Sequence, residues 1–381
     1  MTRDLLLVAA SLFLWGFGEG MFFYFIPLSL QSLGANPMMI GGVYAGIGLA
    51  AALMQIPAGI LSDRIGPRTI MWISWGIGAL ACMILAVAST LAAFSIGIWL
   101  YYMTSFGVVP LNSYVTSVRG KLSPERALTF TGGLFNTGMI AGPILGGLIA
   151  NQMGLQKIYP FSAVVFVIST VIIFLIKPVR FEPHPHLEKP GKIWRNRRFL
   201  GFLALVFTTV FVLYLPQPLT PNFLQNEQGL TTIQIGLLGT IGGLGNAVTL
   251  LVLGSLKAFP GVLVGEAMVM FFAISLLKGS GMGWYGFGYF MLAGFKLSRA
   301  MLVGLSRPLI HPALVGIAFG LIETCASIAI ILSPLLAGYL YEQQPSIIYA
   351  VCLVLVTASI FLNAYFLPRF QRKGFSENVT S

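Results

Sequence analysis

Long apolar runs alternate with short polar breaks along the whole chain. The runs cover residues 5–30, 38–61, 69–89, 91–115, 127–150, 158–177, 199–219, 232–256, 261–279, 284–305, 313–340 and 347–367. Each is close to the roughly 20 residues an α-helix needs to cross about 30 Å of hydrocarbon. The breaks hold Gly, Pro and charged side chains, which punctuate a helix rather than continue it. The short alternating segments of a transmembrane barrel do not occur. The pattern therefore predicts an all-α membrane protein with twelve transmembrane helices. The fourth and tenth runs are the least clean, because polar or basic residues stand near their ends.

One break is longer than the rest. Residues 177–198, "KPVRFEPHPHLEKPGKIWRNRR", hold Pro, His and basic residues but too little apolar surface to build a core. His184 and His186 within it read as solvated loop residues rather than metal ligands. The expected organisation is a six-helix bundle over 1–177, a basic cytoplasmic linker over 178–198, a second six-helix bundle over 199–367 and a cytoplasmic tail over 368–381. The halves also look related. At an offset of 195, Gly34, Gly41 and Gly59 meet Gly229, Gly236 and Gly254; at an offset of 191, Pro143, Leu145 and Gly147 meet Pro334, Leu336 and Gly338. Transporters built as two related bundles around a central site show such repeats.

Composition agrees with the pattern. Only 9% of the 381 residues are charged and 57% are apolar, against about 25% charged in a soluble domain. The net charge of +11 would suit nucleic acid, but its placement does not. With both termini in the cytoplasm, all but two of the 22 Lys and Arg fall on the inner side, the exceptions being Lys157 and Lys278. That bias sets orientation, so the chain is expected in the cell (inner) membrane as a multi-pass protein. Cys82, Cys325 and Cys352 lie inside apolar runs without metal or redox spacing and read as small core residues. The opening "MTRD" and the run behind it read as a first span, too long for a signal-peptide core.

The break between the second and third runs is "GILSDRIGPR", residues 59–68. Gly and Pro turn the chain, and Gly59 allows a close helix approach. Asp63 can sit at a helix N-terminus or pair with an Arg, holding the inner side shut. The pattern G-x-x-x-D-R-x-G-x-R at Gly59, Asp63, Arg64, Gly66 and Arg68 resembles the loop 2–3 motif of the major facilitator superfamily, with Pro67 where that family usually has a basic residue. The six-plus-six layout, the basic linker and "SPERAL" (123–128) resemble it too. The resemblance implies two pseudo-symmetric six-helix bundles, alternating access around a midplane cavity, and Asp63 as part of an inner gate. "GMIAGPILGG", residues 138–147, places Gly138, Gly142, Pro143, Gly146 and Gly147 for close packing and a bend. It resembles the motif of proton-linked antiporters in the same superfamily.

Three acids lie inside apolar runs. Glu19 in "WGFGEGMFF" is about 21 Å deep and Glu323 about 15 Å deep at 1.5 Å per residue. A carboxyl at that depth costs roughly 2.5–3.5 kcal/mol on insertion scales and is functional by default, so Glu19 and Glu323 are the proton-coupling candidates. Glu266 reads as lying one turn inside its run, paired with a loop cation at the inner surface. The resemblance implies that spans 1, 4, 7 and 10 line the cavity. That makes Trp15, Tyr101, Asn112, Tyr214, Gln217, Tyr285 and Tyr289 the lining candidates beside Glu19, with Asn136 a further polar candidate. Lys296 and Arg299 are expected to snorkel to the headgroups.

No metal-ligand spacing, phosphate-cradling loop, nucleophile elbow or G-x-x-x-x-G-K-[ST] occurs, and His311 reads as a loop residue. The expectation is a secondary active transporter rather than an enzyme, needing no cofactor and no metal. Its partners are a small-molecule substrate, protons and the lipid bilayer, with no nucleic acid, and the chain acts as a monomer. The leading reading is proton-coupled efflux of small amphiphilic or drug-like compounds, because the lining candidates lean aromatic. Span 4 lacks the Arg that proton-linked exporters of the family often carry, "WLYYMTSFG" (99–107) standing in its place. An uptake symporter or facilitator for a sugar or other polar metabolite therefore stays open. The charge placement has a direct consequence: an Asn36→Cys chain is labelled by an impermeant maleimide added to intact cells, while Ser123→Cys is labelled only after permeabilisation. The reverse pattern would overturn the topology.

Overall fold

The computed structural model describes residues 1–179, 196–306, 309 and 315–372, without the side chains of 55–64, 315–317 and 370–372. Most of the linker, with His184 and His186, lies outside the described residues, as do Arg307, His311 and the tail from residue 373. Every long regular element among the described residues is an α-helix. In chain order these are α1 (Arg3–Phe23), α2 (Ile26–Ser32), α3 (Pro37–Ile65), α4 (Pro67–Val87), α5 (Leu91–Met103), α6 (Val108–Ser117), α7 (Pro124–Met153) and α8 (Ile158–Phe174). They continue as α9 (Arg197–Tyr214), α10 (Thr220–Asn226), α11 (Thr232–Leu253), α12 (Ala258–Lys278), α13 (Met282–Met291), α14 (Gly294–Ser306), α15 (Val315–Gln343) and α16 (Ile347–Arg372).

The helix ends follow local chemistry. Thr2, Thr90, Ser123 and Asn196 cap α1, α5, α7 and α9, each side chain accepting a backbone N–H of the first turn. In "SPERAL" the Ser is the cap, Pro124 opens the helix and Glu125 sits in its first turn, where a negative charge meets the positive end of the helix dipole. Pro27 lacks an N–H and stands in the first turn of α2, so the first apolar run divides at Tyr24 and Phe25. Gly66 takes φ +82° ahead of Pro67, which makes the turn between α3 and α4.

Eleven segments among the described residues are long and apolar enough to span a membrane, counting α5 to α6 as one. The twelfth expected span is the tenth apolar run, which the fold delivers as two shorter helices, α13 and α14. The break is local. Ala293 N–H donates to Phe290 O at 3.3 Å and Phe295 N–H to Leu292 O at 3.1 Å, tightening the backbone to three-residue closures. Just past the break, Gly294 seats against the Gly265 carbonyl of α12, a contact no Cβ could share.

The described helices gather into two compact units, Met1–His184 with Pro221–Thr240, and Pro185–Thr220 with Ile241–Ser381. In the first, α1 packs against both α7 and α8. A Cβ at Gly138 would collide with the Phe13 carbonyl, at Gly142 with the Phe17 carbonyl and at Gly146 with the Met21 carbonyl. From the other side, Gly16 abuts the Phe135 carbonyl and Gly20 abuts Met139 and Gly142. Two glycine ladders of four-residue spacing thus bring the α1 and α7 backbones into contact. Gly147 and Pro143 turn instead towards Thr232, Ile233 and Gly236 at the start of α11. Thr232 and Thr240 donate to the Gly147 and Ile140 carbonyls there.

The internal repeat is visible within this unit. Gly34 after α2 and Gly229 after α10 both adopt left-handed backbone, φ +92° and +66°. The repeat-related amides Gln31 and Asn226 bond to each other, at 3.3 and 3.1 Å. In the second unit, Phe199, Phe202 and Val206 of α9 pack with Leu297 and Leu302 of α14 and Ile322 of α15. Pro143 in α7 and its repeat mate Pro334 in α15 both stand inside helices.

The glycine seam is expected to tolerate no side chain. Gly142→Val lowers the stability of the detergent-solubilised protein by about 1–3 kcal/mol, the usual range for overpacking, read as a fall in the thermal unfolding midpoint. Gly76→Ala, where a Cβ meets nothing within 4 Å, leaves the midpoint unchanged or higher.

Candidate functional site

A cavity of about 470 Å³ opens inside the first unit, a size suited to a small organic molecule. It is bounded by α1, α4, α5, the 3-10 turn Thr104–Gly107, α6 and the first half of α7. The turn arises where α5 meets Pro110. That residue has no N–H to return to Phe106, so the chain tightens before α6 begins. The kink lets Gly107 approach Ser74, whose hydroxyl donates to the Thr104 carbonyl at 2.9 Å.

The aromatic wall is built from the core outwards. Ser11 on α1 and Ser169 on α8 exchange hydrogen bonds at 2.8–2.9 Å, and Trp75 Nε1–H donates to Ser11 Oγ at 2.8 Å. Trp75, so fixed, holds Trp15 at a ring separation of 4.8 Å. Trp15 also meets Phe166 edge-on at 4.8 Å and stacks on Tyr101 at 6.0 Å. Gly78 leaves the room that the Trp15 ring occupies. Offset and edge-on contacts of this kind favour one ring arrangement over others.

Glu19 stands between Gly18 and Gly20, at the point where α1 is thinnest. Gly20 seats on α7 and Gly18 on the Phe166 ring of α8. The intervening carboxyl lines the cavity, with the Tyr101 hydroxyl and Cys82 as neighbours. Among the described residues, Glu19 is the one ionisable acid of the lining, and Lys, Arg and His contribute nothing to it. Trp15, Tyr101, Asn112 and Asn136 line the same cavity. Asn136 keeps one amide proton for the Gly132 carbonyl of its own helix at 2.9 Å. The lining further includes Ser74, Trp75, Tyr102, Thr104, Thr131 and Phe135. Ser74, Trp75, Thr131 and Phe135 were passed over because the sequence reading drew on spans 1, 4, 7 and 10, whereas α4 and α7 are the third and fifth; Tyr102 and Thr104 lie in the fourth span beside the predicted Tyr101. A Trp beside a Ser in mid-span was the available signal.

The remaining predicted residues lie elsewhere. Tyr214 lies tilted against Phe295 at a ring separation of 5.7 Å, and Gln217 donates to the Leu213 carbonyl at 2.9 Å. Tyr285 and Tyr289 are buried in the second unit, Tyr289 against Phe272 at 6.0 Å. Glu323 is bridged by Arg299, and both are about one-third exposed, at 38% and 36%. Arg299 therefore does not extend to the headgroups as expected; a carboxylate one helix away is the nearer partner for a guanidinium in apolar surroundings. Glu266 also departs from expectation. The helix carrying it begins at Ala258, so Glu266 lies two turns in, and it is fully buried. It accepts hydrogen bonds from Ser359 Oγ at 2.5 Å and Asn363 Nδ2 at 2.8 Å rather than meeting a loop cation. Cys82 and Cys352 are buried and Cys325 is partly so.

In the 59–68 segment, Gly59, Asp63 and Arg64 belong to the last turns of α3, and their side chains lie outside the described residues. Gly66 makes the turn, and Arg68 lays its guanidinium over the Trp72 ring at 3.9 Å, a cation–π contact.

Comparisons with known proteins place this geometry. The enterobactin exporter EntS of Shigella flexneri is 26% identical over 254 residues, covering 63% of this chain and 60% of that protein. The multidrug resistance protein MdtL of Klebsiella pneumoniae is 26% identical over 243 residues, covering 60% of each. The matched part thus spans less than two thirds of these relatives' lengths. Among solved structures, the nucleoside transporter NupG superposes with a TM-score of 0.81 at 16% identity, over 98% of this chain and 100% of that one. That likeness shows the fold of two helical bundles. The profile of the Major Facilitator Superfamily matches residues 8–311. On that match, which takes in the glycine seam and the cavity, the chain belongs to the Major Facilitator Superfamily of membrane transporters.

Proposed function

We propose that this transporter works by alternating access and expels small amphiphilic, drug-like compounds in exchange for protons, with aromatic cations as its best substrates. The observation that carries the reading is the cavity lining: a single carboxyl, Glu19, among Trp15, Trp75, Tyr101, Tyr102 and Phe135, with no basic side chain among the described residues. Ring faces attract cations, and a lining that carries a carboxyl but no Lys, Arg or His among the described residues favours positive charge. The aromatic bodies favour an apolar substrate frame. The exporter name of EntS supports the direction, and the multidrug-resistance name of MdtL the drug-like substrate class.

The carboxyl explains exchange. Glu19 can hold a proton or face a cation, and one carboxylate does not do both at once. Arrival of the substrate cation releases the proton, and protonation on the other side releases the substrate. In this reading both termini are cytoplasmic, and Gly59, Asp63, Arg64, Gly66 and Arg68 form part of the inner gate.

Ethidium, an aromatic monocation, tests the proposal with the purified protein in liposomes. Its accumulation is expected to require a pH gradient, and its apparent affinity to rise with pH, because a deprotonated Glu19 is the form that binds cations. Glu19→Gln is expected to weaken binding by about 1.5–3 kcal/mol, the range for a hydrogen-bonded charge, which is roughly tenfold or more in half-saturating concentration, and to flatten the pH dependence. Gradient-driven uptake of a labelled sugar or nucleoside, with ethidium ignored, would overturn the reading.

A further inference from the structure

The second unit holds a carboxyl that the cavity does not use. Glu266 is fully buried near the middle of α12, eight residues from its start and twelve from its end. Its Oε1 accepts from Ser359 and Asn363 of α16, four residues apart on one face. Asn363 Nδ2 also donates to Thr209 Oγ1 of α9 at 2.8 Å, so the cluster joins α9, α12 and α16. Two of its acceptor atoms, Glu266 Oε2 and Asn363 Oδ1, are buried with no hydrogen-bond partner among the described residues. Buried acceptors normally find a donor, and a carboxylate in such surroundings normally finds a cation.

Among the described residues no cation of the packed elements pairs with Glu266. Arg197 and Arg198 open α9, eleven or more residues before Thr209, and Lys278 closes α12. Lys296 and Arg299 lie on the side of α14 away from Gly294 and Ser298, which face α12, and Arg299 is held by Glu323. Arg369 of α16 lies over Tyr365. Arg372 ends α16, nine residues beyond Asn363, with its side chain outside the described residues; the remaining titratable groups on these elements are the phenols Tyr214, Tyr285, Tyr289, Tyr349 and Tyr365 and the thiol Cys352. The turns flanking the cluster present Val206, Val262, Val269, Val356 and Leu367, all buried.

We propose that Glu266 is a membrane-buried proton-binding site, the proton residing on Oε2. Protonation turns an orphan acceptor into a donor and removes the charge. Loss of the proton leaves an uncompensated charge between α9, α12 and α16, so release requires water to enter among these helices. Proton exchange at Glu266 is thereby tied to loosening of their packing. The site, rather than the Arg299-paired Glu323, is the acid of the second unit that gains and loses a proton during transport. Only this last step rests on the proton-coupled function proposed above.

Infrared difference spectroscopy of the purified full chain in lipid tests the site without any substrate. At neutral pH the wild type is expected to show a protonated-carboxyl C=O band that moves in D2O. The band is lost in Glu266→Gln, persists in Glu323→Gln and moves to higher frequency in Ser359→Ala, which removes one donor to the carbonyl oxygen. Absence of the band, or its persistence unchanged in both the Gln and Ala variants, would overturn the proposal. So would thermal stabilisation by Na+ that Glu266→Gln abolishes, which would assign the site to a metal cation. In liposomes, Glu266→Gln is expected to bind ethidium as the wild type does and to lose its gradient-driven accumulation; full accumulation would overturn the role in transport. A wild type that shows the band but no gradient-driven ethidium movement would instead overturn the proton-coupled function and leave the proton site standing.

Discussion

The first unit depends on one contact, the backbone-on-backbone packing of α1 against α7. Gly16 and Gly20 on one helix and Gly138, Gly142 and Gly146 on the other let the two backbones meet along the seam. In lipid, apolar side chains gain little from meeting each other, since the tails are equally apolar; close van der Waals approach between thin helix faces is what holds helices together. The seam also decides where chemistry can occur. With Gly20 committed to α7 and Gly18 to Phe166, the carboxyl between them has one direction left, and that direction is the cavity.

The aromatic wall is a consequence of the same economy of space. Trp15 fits because Gly78 yields its volume, and Trp75 is oriented because the buried Ser11–Ser169 pair offers its indole N–H an acceptor. Three helices, α1, α4 and α8, thereby fix two indoles before any ligand arrives. Rigid rings need little ordering on binding, which favours recognition by shape and charge over a detailed set of hydrogen bonds.

The three membrane acids occupy three different environments. Glu19 lines a cavity, Glu323 is neutralised by Arg299, and Glu266 is sealed among uncharged donors. Depth in the sequence ranked Glu19 and Glu323 together and set Glu266 apart as a surface residue. Depth measures distance along a helix axis, whereas the state of a carboxyl depends on what the neighbouring helices place opposite it. Ser359 and Asn363 stand more than ninety residues away in the chain, so nothing local to Glu266 announced them.

The sequence by itself determined the class, the run of helices and most of their ends. Hydrocarbon thickness dictates run length, and caps and prolines act on their own neighbours, so these features are written locally. It also marked the α7 glycines, whose four-residue spacing is a property of one helix. The tertiary structure alone decided the split of the tenth run at Gly294, the partner of Arg299, the burial of Glu266 and the recruitment of α4 and α7 to the cavity. Each of these turns on which face of one helix meets which face of another, and a period of 3.6 residues names the faces without saying what lies across from them.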